Sequence, residues 1–281
     1  MVTASTAKAN VSRETIRPIR IAVINQKGGV GKTTTAVNLA HGMAMNGQRI
    51  LLFDMDPQGN ATTALGVEKF TTNPSSYEFL TSKEIPPDWT ATQYKDLDVY
   101  PANISLIRAE LDLLQNAKGR DTMFRSALDK KTFNHDYIIF DAPPSLGLLT
   151  LNILIASDYV LVPVQCEYLA LEGLTMLLET LDEIARDHNP KLELLGCVLT
   201  MVDLRTNLSQ MVIKDMRSHL QNRVLTTLIP RTIRLSECPS HGKTIFDYDR
   251  WGPGARAYES LAKEVIERVP QTTAPKKRNK S

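Results

Sequence analysis

Cysteine is scarce: Cys166, Cys197 and Cys238 are the three in 281 residues, and they lie far apart. An odd, scattered set excludes a disulfide framework and offers no metal-ligand spacing. It suits a reducing cytosol, with the three acting as small buried apolar residues. Long apolar runs are missing too. No stretch approaches the roughly 18 residues that a spanning helix needs, so no membrane partner is expected. The segment Met1 to Pro18 lacks the apolar core of a secretory signal. Neither sign of charge dominates: 33 Lys and Arg oppose 31 Asp and Glu. A net charge of +2 makes no global demand for nucleic acid, so any basic site must be local.

What is present is an ordinary globular composition, 42% apolar and 23% charged. Short apolar runs alternate with helical stretches. That alternation predicts an α/β fold, a doubly wound, mostly parallel sheet flanked by helices. Strands are expected at 20–25, 49–54, 97–100, 137–141, 160–162, 194–201 and 224–229. Ile50-Leu51-Leu52-Phe53 and Tyr137-Ile138-Ile139-Phe140 are apolar throughout, as strands covered on both faces should be. Helices are expected at 32–46, 106–116, 121–131, 170–187, 208–221 and 255–269, with Gly47 and Pro270 as stops. Between Gly59 and Asp98 prolines break the pattern, and loops with one or two short helices are expected. Residues 1–19 read as a disordered leader, 20–269 as one domain and 270–281 as a basic disordered tail.

The most informative segment is Gln26-Lys27-Gly28-Gly29-Val30-Gly31-Lys32-Thr33-Thr34, between the first strand and the first helix. It departs from G-x-x-x-x-G-K-[ST] at one position, where Gln26 replaces Gly. Glycines let backbone N–H groups approach phosphate oxygens, and the following helix adds its N-terminal dipole. Lys32 is expected on the β- and γ-phosphates and the Thr33 hydroxyl on Mg²⁺. A phosphate-bound metal also wants an acid at a neighbouring strand end. Asp141 fits, acting through one of the waters that magnesium keeps. Asp54 and Asp56 close the second strand. Spacing of two puts both carboxylates on one side if the strand continues that far. One is then placed to orient water and the other to serve metal or loop geometry; the competing reading is a polar turn.

These residues carry a resemblance. Lys27 to Thr33, Asp54 to Thr62 and Asp141 to Gly147 resemble the ParA/Soj chromosome-partitioning ATPases, the deviant Walker A group of the MinD/ParA superfamily. So do Val164 to Tyr168, Arg205 to Leu208, Ile229 to Arg231 and Arg234 to Lys243. The likeness runs from Arg20 to about Arg268, and is weakest from Phe70 to Asp98. It implies an ATP- and Mg²⁺-dependent homodimer with nucleotides sandwiched between subunits. Lys32 then serves its own subunit, while Lys27 crosses to the partner's phosphates. The glycine at 28 leaves room for the opposed loop, and the segment from Lys27 to Thr34 cradles ATP. Asp56 positions the hydrolytic water and stands as a further carboxylate on the metal side, while Pro230 contacts adenine. Hydrolysis is expected to be slow and partner-stimulated.

The resemblance further implies sequence-blind binding of double-stranded DNA by Arg205 and Arg234, with Arg231, Lys214, Arg217 and Lys243 extending the patch. The implied partner is a ParB-like centromere-binding protein, and the implied location is the cytoplasm, on the nucleoid. The alternative cargo is a protein cluster, organelle or division regulator. A membrane-bound MinD-like regulator is disfavoured, because residues 270–281 hold no Leu, Phe or Trp. A nitrogenase-reductase relative lacks its cluster cysteine after Asp141. A metabolic ligase on the same loop is disfavoured by the basic segments. The short stretch before the first strand is too small for a helix-turn-helix domain.

Overall fold

A computed structural model describes residues 17–69, 74–84, 88–115, 119–168 and 170–270. The expectations for the leader up to residue 16, for Pro86 and Pro87, for position 116 and for the tail beyond 270 lie outside the described residues.

Eight strands form one sheet: β1 (Ile19–Val23), β2 (Ile50–Asp54), β3 (Thr90–Ala91), β4 (Leu97–Tyr100), β5 (Tyr137–Asp141), β6 (Tyr159–Gln165), β7 (Glu193–Val202) and β8 (Val224–Pro230). Their order is β3-β4-β2-β5-β1-β6-β7-β8, with β3 antiparallel on β4 and every other pair parallel. β1 is thus central. The chain leaves it toward β2 on one side, while β6 continues to β7 on the other. A crevice opens at such a switch point, beyond the C-terminal strand ends.

Alternation along each strand divides the core. Leu51 and Phe53 point to one face, where Phe53, Phe79, Tyr100, Phe124 and Phe140 pack ring on ring. That face is covered by α3 (Ser76–Thr81), α4 (Leu106–Gln115), α5 (Met123–Asp129), α6 (Leu148–Ala156), α7 (Ala170–Asp187) and α8 (Asn207–Leu220). Ile50 and Leu52 point to the other face. There lie α1 (Lys32–Met45), α2 (Asn60–Ala64), α9 (Ile233–Glu237), α10 (Ile245–Tyr248) and α11 (Pro253–Arg268). Gly42 lets α11 approach α1, because a Cβ there would fall 3.0 Å from that of Ala262. Among the described residues no helix is long and apolar enough to cross a membrane.

Several boundaries move. β1 begins one residue early, at Ile19, and α11 begins at Pro253, where the missing N–H costs nothing. β6 is longer than its apolar triplet. α6 was not expected at all.

Candidate functional site: a phosphate loop beside a buried carboxylate pair

The loop after β1 ends where α1 begins. Gly29 (φ 74°) and Gly31 (φ 88°) adopt left-handed backbone that L side chains rarely take. Gly31 is the N-cap of α1 and no side chain caps the helix, so first-turn N–H groups remain available to an anion. Two braces hold the loop. Thr200 of β7 donates from Oγ1 to the Val30 carbonyl at 2.8 Å. Asn25 accepts the Lys27 N–H at 2.9 Å and donates to Pro163 O at 2.7 Å.

The two lysines differ. Lys32 is buried, and its Nζ donates to the Lys27 carbonyl at 3.0 Å. Burial lowers its pKa, while Asp141 and Asp56 pull the other way. Lys27 is exposed and forms an ion pair with Glu167, just past β6. A Cβ at Gly28 would meet nothing within 4 Å, so packing within this chain does not itself demand glycine there.

Asp141 ends β5, in register with Val23 of β1 and Asp54 of β2. It is fully buried, and neither carboxylate oxygen has a hydrogen-bond partner. Burial first, then the Asp54 charge, pushes its pKa well above the usual carboxylate range. The nearby Thr33 hydroxyl and Lys32 ammonium oppose this. An orphaned buried carboxylate beside a threonine hydroxyl suits a hydrated divalent cation. Two protein groups are too few to hold the cation alone, so it must arrive with phosphates.

Asp54 is equally buried but satisfied. Its Oδ2 accepts the Thr62 N–H and hydroxyl, each at 2.7 Å, and its Oδ1 accepts the Asp56 N–H at 3.3 Å. Burial still raises its pKa, to about 6. β2 stops at Asp54, so the condition for two aligned strand carboxylates is not met. Asp56 stands instead in a half-exposed turn, where its Oδ1 accepts the Gln58 N–H at 2.9 Å. Asp54 thus fixes the loop, and Asp56 lies near enough for its charge to act on Lys32 and Asp141.

Pro230 ends β8 and lines a cavity of about 260 Å³ with Gly31, Thr34, Thr200, Arg231 and Tyr258. The cavity adjoins the loop through Gly31 and Thr34.

The basic residues gather only in part. The Arg231 N–H bonds Val202 O at 3.0 Å, bringing Arg231 to the turn that carries Arg205. Arg205 is 89% exposed, yet Asp203 clasps it bidentately at 2.7 and 2.8 Å. That clasp pulls the Asp203 pKa down to about 2. Arg234 lies on α9, paired with Glu237 at 3.2 Å. Lys214 and Arg217 are exposed on α8, and Lys243 is exposed before α10. Sequence reasoning gave no role to Glu167, Thr62 or Asn25. Each acts through a partner distant in sequence: Glu167 on Lys27, Thr62 on Asp54 and Ala102, and Asn25 on Pro163.

Sheet order, loop and acidic strand end define a P-loop nucleotide-hydrolysing protein. The family described as an AAA domain matches residues 19–194. The chain is 50% identical to the sporulation initiation inhibitor protein Soj of Bacillus subtilis, covering 87% of this chain and 97% of that one. It is 45% identical to the chromosome partitioning protein ParA of Caulobacter vibrioides, covering 89% and 95%. Among solved structures, one named cobyrinic acid a,c-diamide synthase, from Mycobacterium smegmatis with bound ADP and magnesium, is 37% identical. Its TM-score is 0.77, with 89% of this chain and 94% of that one covered. The chain belongs to the ParA/Soj family of chromosome-partitioning ATPases.

Proposed function

We propose that this ATPase is an ATP-dependent dimeric switch that binds DNA without sequence preference. In this reading it segregates a chromosome or plasmid with a ParB-like partner that stimulates hydrolysis. The observation that carries the reading is the division of labour between the lysines. Lys32 is buried in its own loop, whereas Lys27 is exposed and held only by a surface ion pair with Glu167. Such a pair is worth about 0–1 kcal/mol, so Lys27 is readily released to a second subunit. A bare Gly28 surface supports close approach of an opposed loop.

ATP with Mg²⁺ supplies the phosphate charge that joins two cationic loops. Around it, the N–H groups of Gly29 to Thr33 and the Lys32 ammonium hold phosphate oxygens. The Thr33 hydroxyl and Asp141 hold the hydrated cation. Asp56 orients the attacking water, and Lys27 of the facing subunit neutralises developing charge, as an arginine finger does. Pro230 packs on adenine. Arg205 and Arg234, with Arg231, Lys214, Arg217 and Lys243, contact DNA phosphates, and dimerisation doubles those contacts.

The name of the Mycobacterium smegmatis structure favours a second reading, a synthase that turns carboxylic acid groups into amides. Higher identity to Soj and ParA over nearly their whole lengths supports partition. A DNA shift at two salt concentrations, with ATP, ADP or no nucleotide, separates the two. ATP-dependent binding with a log–log salt slope of about −0.9 per neutralised phosphate is expected. Absence of binding in every nucleotide state would reject the switch.

A further inference from the structure

Two apolar side chains stand in water where the packing gives no reason for them. Trp251 is 79% exposed, the most exposed large hydrophobic residue among those described, and Ile233 is 74% exposed. Neither belongs to the hydrophobic core on either face of the sheet. Both lie at one corner of the molecule. Ile233 opens α9, and Trp251 sits in the turn between α10 and α11. The corner is well fixed underneath. A Cβ added at Gly254 would meet Leu235 at 3.2 Å and Ile245 at 3.3 Å, so α9, α10 and α11 converge beneath the two tips.

Cations interleave with them. The Arg234 guanidinium lies 5.9 Å from the Tyr248 ring centre, and that of Arg250 lies 5.5 Å from the Trp251 ring. Arg231, Lys243 and Arg256 are exposed around the same corner. The acids there are mostly engaged. Glu237 accepts from both Arg234 and the Tyr248 hydroxyl. The Asp249 carboxylate is folded against the Gly252 backbone, where a Cβ would fall 1.9 Å from it. Asp247 remains exposed.

We propose that Ile233 and Trp251 are apolar contact points for duplex DNA, pressing on the sugar and base surface of a groove while Arg231, Arg234 and Arg250 hold flanking phosphates. This rests on the DNA-binding reading above and adds a component to it that is not electrostatic. Duplex DNA is the occupant this chemistry favours. Its surface alternates phosphate with apolar sugar and base edges, and apolar wedges beside arginines are a known way to grip it without reading sequence. An arginine resting on a ring still has N–H groups free for phosphate. A protein partner would be better matched by one contiguous apolar patch, and here charges separate the two tips.

Trp251 is its own reporter, because Trp89 is packed against Phe133 and His135. The full chain is mixed with Mg²⁺, a non-hydrolysable ATP analogue and a duplex of arbitrary sequence. Tryptophan emission is expected to change on DNA addition, and the change is expected to vanish in Trp251→Phe. Affinities of Trp251→Ala and Ile233→Ala, measured across several salt concentrations, are expected to fall roughly tenfold with an unchanged log–log slope. Arg234→Glu is expected to make that slope shallower. If the duplex binds but neither emission nor these affinities respond, the inference falls and the DNA reading stands. If no duplex binds, both fall. Emission that responds only to anionic phospholipid vesicles would make the corner a lipid contact and overturn the proposal.

Discussion

Asp54 and Asp141 face each other in register at the ends of β2 and β5, both fully buried, and only Asp54 has hydrogen-bond partners. The pair separates a hydrogen-bonded acid from an unpartnered one without any difference in depth. Three donors converge on Asp54 from its own chain. Asp141 has been left open toward the phosphate loop. Removing the charge should therefore have opposite effects. Asp141→Asn should stabilise the metal-free protein, by relief of a buried unpaired charge, and should abolish the thermal stabilisation that Mg²⁺ with nucleotide gives wild type. Asp54→Asn should lower stability by about 1–3 kcal/mol in urea unfolding, because both oxygens accept hydrogen bonds and an amide must turn its NH2 toward one of those donors.

The lysines should dissociate two properties that otherwise occur together. Lys32→Ala is expected to lose nucleotide binding outright. Lys27→Ala is expected to keep nucleotide binding by the single subunit and to lose ATP-dependent dimerisation. Calorimetry and light scattering on the same samples check this. A Lys27→Ala protein that dimerises normally with ATP would return that lysine to a local role.

Asp56→Ala is expected to bind ATP, persist as a dimer and hold DNA, with hydrolysis reduced by at least a hundredfold, the scale of a lost general-base or water-positioning group. Phosphate release measured with and without DNA checks it. Normal turnover would reject the assignment.

The clasp between Asp203 and Arg205 predicts a gain. Asp203→Asn frees a highly exposed guanidinium, so DNA affinity should rise and the log–log salt slope should steepen by about 0.9. An unchanged slope would remove Arg205 from the interface.

His41 gives a pH signature away from the nucleotide. Its ring packs on Tyr94 and Phe246, its Nδ1 lies 2.7 Å from Thr244 Oγ1, and burial lowers its pKa to about 4. Above the unfolded value of about 6.5 both states are neutral and nothing is lost. Below it the unfolded chain takes the proton first, so stability falls until the folded ring also titrates. From pH 7.5 to 5 the loss from this group is about 2 kcal/mol. Urea unfolding of wild type and His41→Gln at both values should show the pH dependence flatten in the variant.

How much was legible follows physical reasons. β1, β2 and β5 announce themselves because strands covered on both faces are apolar throughout. The loop announces itself because phosphate approach needs glycine and cation at fixed spacing. α6 was invisible: Leu148 to Ala156 is apolar nearly all round, so it has no helical period, and its N-cap Gly147 offers no side-chain cap. α9 and α10 are too short to show a period. Asp54 could not be told from Asp56 by spacing, because the end of β2 is set by Thr62 reaching back to Asp54. The exposed tips of Ile233 and Trp251 were also hidden, since sequence does not report which apolar residues fail to be buried.

Thr62 is one hydroxyl with one proton, and that proton is committed. It goes to Asp54, while the oxygen accepts the Ala102 N–H at 2.9 Å. Ala102 follows β4 and leads to α4, whose outer side carries exposed Ile107, Leu111 and Leu114. The turn that carries Asp56 and the approach to α4 are therefore joined through a single atom. Any displacement of Asp54 would pull on the end of β2 and on the chain entering α4 at once.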